Sequence, residues 1–112
     1  MASLPNEFEM AVLERIAQAA PAFRPSITSL RVLRRELTGA GSYTHFAPTA
    51  PLAIPDGFVA LDALILMPGV PNGMGAVLAV TSGYPDFLEL FTYGEDSWDG
   101  TYSGFAIASG GA

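Results

Sequence analysis

Glycine and proline punctuation most constrains what this chain can fold into. Twelve glycines and nine prolines leave one stretch whose caps and periodicity together mark a regular helix, and it lies near the start. Asn6 followed three residues later by Glu9 is a capping-box pattern: the Asn side chain accepts from the amide three residues on, and the Glu carboxylate reaches back to the cap. Phe8, Val12, Ile16 and Ala19 or Ala20 recur at spacings of three and four, with Glu9, Glu14, Arg15 and Gln18 interleaved, and Pro21 blocks extension. The pattern predicts an amphipathic helix of about three to four turns that needs a surface to pack against.

Beyond Pro21 the segments are short. Ile27 to Leu37 reads equally as a helical face (Leu30, Leu33, Leu37) and as strand alternation with a change of face, and periodicity does not separate the two. Thr38-Gly39-Ala40-Gly41 is a glycine turn and Ser42 to Phe46 a short strand, which makes a hairpin if the first arm is extended. Pro48, Pro51 and Pro55 fix φ and remove amide donors, so they mark a loop or edge. Phe58 to Met67, Ala76 to Thr81 and Phe87 to Tyr93 follow as strands. They are separated by Pro68 to Gly75, with Asn72-Gly73 at its centre, and by Ser82-Gly83-Tyr84-Pro85. In the last strand, alternation puts Leu88 and Leu90 on the core face and Phe87, Glu89, Phe91 and Tyr93 on the other. Tyr102 to Ile107 adds a short edge strand before a Gly110-Gly111 tail that frays.

Half the 112 residues are hydrophobic and 14% are charged, the reverse of the composition of a disordered chain and enough for one core. All five basic residues, Arg15, Arg24, Arg31, Arg34 and Arg35, precede residue 36, whereas seven of the eleven acids follow it. A net charge of −6 opposes a phosphate backbone, so nucleic acid is excluded as a partner. Four arginines between Arg24 and Arg35 would suit a phosphate or carboxylate, but they also have acids at hand to pair with. The absence of cysteine removes disulfides, thiolate metal sites and cysteine nucleophiles. Met1 to Glu9 lacks the basic start of a secretory signal, and the longest apolar run, around Ala63 to Met67, ends at Pro68, far short of a membrane span. The expected location is cytoplasmic, with no membrane partner.

Two groups of residues carry candidate chemistry. His45 is the one histidine, and Tyr43 shares its strand face. With Arg35 and Glu36 across the proposed hairpin they would form a small-molecule or enzymatic pocket, because a carboxylate on one imidazole nitrogen fixes the tautomer that leaves the other as a base. A lone histidine without a nucleophile partner more often sits half-buried in a sheet, and one His without Cys makes a poor transition-metal site. The second group is the loop holding Glu95, Asp96, Trp98 and Asp99, where a tryptophan ringed by acids resembles an interface anchor with a polar rim. Its spacing is not that of a calcium loop. The plain alternative has Trp98 folded over the end of the sheet. No phosphate-binding loop or nucleophile elbow is present, and neither a cofactor nor a catalytic residue is assigned.

Arg34-Arg35-Glu36-Leu37-Thr38-Gly39-Ala40-Gly41-Ser42-Tyr43-Thr44-His45-Phe46 and Leu88-Glu89-Leu90-Phe91-Thr92-Tyr93-Gly94-Glu95-Asp96-Ser97-Trp98 together resemble two blocks of a family of small uncharacterised bacterial proteins. In that family a hairpin precedes a Leu-Glu-x-aromatic-x-Tyr-Gly-Glu-x-Trp strand and loop. The chain departs from the pattern at Leu37 and Ser42, where aromatics are usual. The resemblance tips Ile27 to Leu37 towards strand, carries no activity, and is loosely similar to immunity or antitoxin proteins.

These readings converge on a single α+β domain, an N-terminal helix packed on an antiparallel sheet of five or six strands. The leading functional expectation is a non-enzymatic, immunity-like module that meets a basic protein partner through its acidic second half and the Trp98 loop. The alternative is the pocket at Arg35, Glu36, Tyr43 and His45. A homodimer sealed by an uncovered apolar sheet face is a third reading.

Overall fold

The structure, a computed structural model, describes residues 3–48 and 55–109. Pro51 and the Gly110-Gly111 tail lie outside the described residues. Helix α1 (Glu7–Ala19) begins on the expected capping box: Asn6 accepts from the Glu9 amide and Glu9 accepts from the Asn6 amide, each at 2.8 Å. Its core face is Phe8, Val12, Leu13, Ile16 and Ala17, whereas Ala19 stays exposed. A 3₁₀ helix (Pro21–Ser29) follows, with Pro21 at its start where a missing amide costs nothing, and it buries Phe23 and Ile27.

Seven strands follow: β1 (Val32–Leu37), β2 (Gly41–Phe46), β3 (Gly57–Ala60), β4 (Ala63–Met67), β5 (Val70–Thr81), β6 (Tyr84–Thr92) and β7 (Ala106–Ser109). All pair antiparallel in the order β1-β2-β6-β5-β4-β7, and β3 pairs with β5 beside β4. The ambiguous Ile27 to Leu37 stretch therefore divides, ending the 3₁₀ helix and forming β1.

The strand count exceeds the expected five or six because Phe58 to Met67 is two strands on one edge of the long β5. They part at Leu61, whose amide still bonds Ala76 O at 2.8 Å. The break expected across Pro68 to Gly75 is also much shorter. Pro68-Gly69 alone makes the turn, with Gly69 at φ +83°, and β5 begins at Val70. Asn72-Gly73 lies within β5 rather than in a loop. Gly73, at φ +75°, lets the chain bulge where a Cβ would sit 2.9 Å from Ile65 O. The last strand starts at Ala106, four residues later than expected, because Tyr102 and Phe105 pack on Phe8 instead of pairing.

The core lies between the helices and one sheet face, where Val32, Phe46, Ile65, Met74, Leu78, Leu88 and Leu90 meet the α1 stripe. Leu88 and Leu90 are the inward residues that alternation picks out. A shortest extent of 21 Å leaves room for one helix layer and one sheet layer. Ser42, inward on β2, is buried and its hydroxyl has no hydrogen-bond partner among the described residues. Ser42→Ala is expected to leave stability unchanged or raise it by about 1 kcal/mol. The check is a urea midpoint that does not fall, at unchanged m-value.

Candidate functional site

The opposite face of the sheet carries no described element. Register fixes what it displays. One row across the strands reads Phe58, Ala79, Phe87, His45, Arg34, and the next reads Ala60, Val77, Glu89, Tyr43, Glu36. Because Thr44, between Tyr43 and His45, points inward to α1, its two neighbours must point outward. The aromatic rings touch in a chain: Phe58 to Phe87 at 6.5 Å, Phe87 to Tyr43 at 5.5 Å and Phe87 to His45 at 6.0 Å between centroids. Phe91 and Tyr93 lie across Gly75, where an added Cβ would come 2.7 Å from the Phe91 ring and 2.5 Å from Tyr93 Oη. Phe58 is 71% exposed, and Leu64, Leu66 and Tyr93 are exposed too.

Charge on this face is uneven. Glu36 accepts from Arg34 Nη1 and His45 Nε2, each at 2.6 Å. The His45 hydrogen bond, and then the Arg34 charge, hold the Glu36 carboxyl below its ordinary value. Glu89 accepts only the Tyr43 hydroxyl, at 3.2 Å, and no cation reaches it among the described residues. The Glu89 charge, then its hydrogen bond, push Tyr43 up from its ordinary value.

Arg35 does not join Glu36, Tyr43 and His45, which corrects the proposed pocket. Successive strand residues alternate faces, so Arg35 points to the helix side. There it grips Glu9 through Nε–H to Oε2 at 2.8 Å and Nη2 to Oε1 at 2.7 Å. Glu9 also accepts from Thr44 Oγ1 at 2.6 Å and is fully buried. Burial pushes its carboxyl up, but the hydrogen bonds from Arg35, Thr44 and the Asn6 amide prevail and hold it below 4.5. A helix position interleaved with polar residues gave no sign of this burial. The remaining three residues lie on the sheet face that no described element covers.

Of the two readings of Trp98, the structure takes the one in which the ring folds inward, not that of an exposed anchor. Trp98 is 5% exposed, with its ring 6.3 Å from Phe8 and 5.4 Å from Tyr102, Nε1–H donating to Thr101 O at 3.1 Å and its amide to Gly39 O at 3.0 Å. The indole closes the end of the core, as a large aromatic in a small domain must find apolar cover. The neighbouring acids fold the loop: Asp96 accepts from the Asn72 amide at 2.7 Å and Asp99 from the Thr101 amide at 2.9 Å, while Glu95 stays exposed.

A cleft of about 460 Å³ lies between the start of α1 and the Tyr102 to Phe105 segment, and it contains none of the residues of the open face. Among the described residues no three His, Asp or Glu side chains gather to hold a metal ion, and no helix is long and apolar enough to cross a membrane. Compared with family models, curated proteins and solved structures, the chain matches none.

Proposed function

We propose that this protein is a non-enzymatic binding module whose open sheet face docks a basic protein partner in the cytoplasm, an immunity-like role. The observation that carries this reading is the connected row of Phe58, Phe87, Tyr43 and His45, displayed where no described element covers it. Exposed contiguous apolar surface is uncommon on a monomer and marks interaction sites. Four strand spacings of about 4.8 Å and strands of about 25 Å give a face of about 480 Å², somewhat over half of the ~800 Å² each partner buries in a stable complex. Net charge of −6 speeds the encounter with a cationic surface and makes it salt-sensitive. The acidic loop contributes to that field through Glu95, and not through Trp98.

A random-peptide display selection tests this, with counter-selection on the Phe58→Ser/Phe87→Ser variant. Both rings are at least partly exposed, so the variant is expected to melt within a few degrees of the parent. The reading expects peptides that bind the parent and lose binding to the variant by about tenfold or more, the scale of one interface aromatic. Binders that ignore the double substitution would refute it.

A further inference from the structure

We infer that the partner inserts an arginine side chain onto this face, ion-paired with Glu89 and stacked among Tyr43, Phe87 and Phe91; this rests on the docking reading above. The two carboxylates of the face differ in what they already hold. Glu36 is neutralised by Arg34 and flanked by His45, whereas Glu89 has a phenol hydroxyl and, among the described residues, no cation. Glu89 pairs across the strands with Tyr43 on one side and Val77 on the other, with Phe87 and Phe91 two residues away on its own strand. Any partner that covers these rings also takes Glu89 out of water.

Desolvating an unpaired carboxylate is strongly unfavourable, so an apolar occupant is rejected and one that brings a cation is selected. A guanidinium fits better than an ammonium, because its planar fork can engage both carboxylate oxygens while its face lies on an aromatic ring. A second copy of this chain is a poor occupant. Each face brings one arginine, Arg34, against two carboxylates, Glu36 and Glu89, so pairing two faces leaves carboxylate in excess.

The experiment uses the full chain and the peptides recovered by the selection above. The inference expects them to share an arginine and to lose at least about tenfold in affinity when Glu89→Gln is made, or when that arginine becomes norleucine. Replacement of the arginine by lysine should cost less than norleucine but more than nothing. The peptide substitution needs no change in the protein, so misfolding cannot account for its effect. Peptides that require Phe58 and Phe87 but lack a basic residue, or ignore Glu89→Gln, would overturn the arginine anchor and leave the docking face standing. Binders indifferent to the aromatic row would remove both. Sedimentation showing a dimer that the Phe58→Ser/Phe87→Ser variant abolishes would replace the basic partner with a second copy.

Discussion

Alanine at Gly41 is expected to abolish the native fold. A Cβ there would lie 1.8 Å from Leu90 O and 2.9 Å from Phe91 Cα, backbone atoms of the neighbouring strand, so no side-chain rotation relieves the clash. The chain also holds φ at +155°, a conformation that side chains disfavour. Relief requires pulling β2 away from β6 at the register pair Gly41 and Phe91, beside the buried Leu90. That loss exceeds the usual cost of overpacking, and we expect more than about 4 kcal/mol, a large part of a domain's stability. Gly39 is the control. Its φ is +85° but nothing lies within 4 Å of the added carbon, so Gly39→Ala should cost about 1 kcal/mol and leave a folded protein. Equal urea midpoints for the two variants would contradict the close approach of β2 to β6.

Arg35→Met is expected to cost about 3–5 kcal/mol at neutral pH, because it leaves the Glu9 carboxylate buried without its cation. The pH dependence identifies the cause. In the parent, Glu9 is held below 4.5, so its contribution is present above 4.5 and is lost as pH falls through the folded-state value. In the variant the arginine bonds are gone and burial prevails, raising the carboxyl above its unfolded value. Its contribution is then fully present below 4.5 and is lost as pH rises through the raised folded-state value. The gap between parent and variant should therefore be smallest in acid and widen towards neutrality. Glu9→Leu combined with Arg35→Met should recover part of the loss, since an apolar pair can replace a buried ionic one. A gap independent of pH would show that the arginine acts through packing alone.

Helix α1, its capping box, the turns at Gly39 and Ser82-Gly83 and the inward Leu88 and Leu90 were legible because each follows from a local rule: cap spacing, glycine at a turn, alternation. The division of Phe58 to Met67 was not, since it depends on β5 being long enough to pair with both halves, a non-local fact. Asn72-Gly73 has the composition of a turn, yet the turn is made four residues earlier at Pro68-Gly69. Alternation held the information that Arg35 and Glu36 face opposite ways, but proximity in sequence obscured it. The outward row of Phe87, Glu89 and Phe91 was visible in β6 alone. Its continuation into Tyr43, His45 and Phe58 required the register of four strands. Both readings of Trp98 stood open in the sequence because acids beside an aromatic do not reveal where its ring goes, and here Phe8 and Tyr102 receive it.

The central claim, that the sheet face no described element covers is where this protein meets its partner, is tested most directly by intermolecular NOEs between the tightest selected peptide and the isotope-labelled chain. The account predicts contacts to the rings of Phe58, Phe87 and Tyr43. Contacts confined to the Glu95 to Asp99 loop, or to the cleft beside Phe8 and Tyr102, would contradict it.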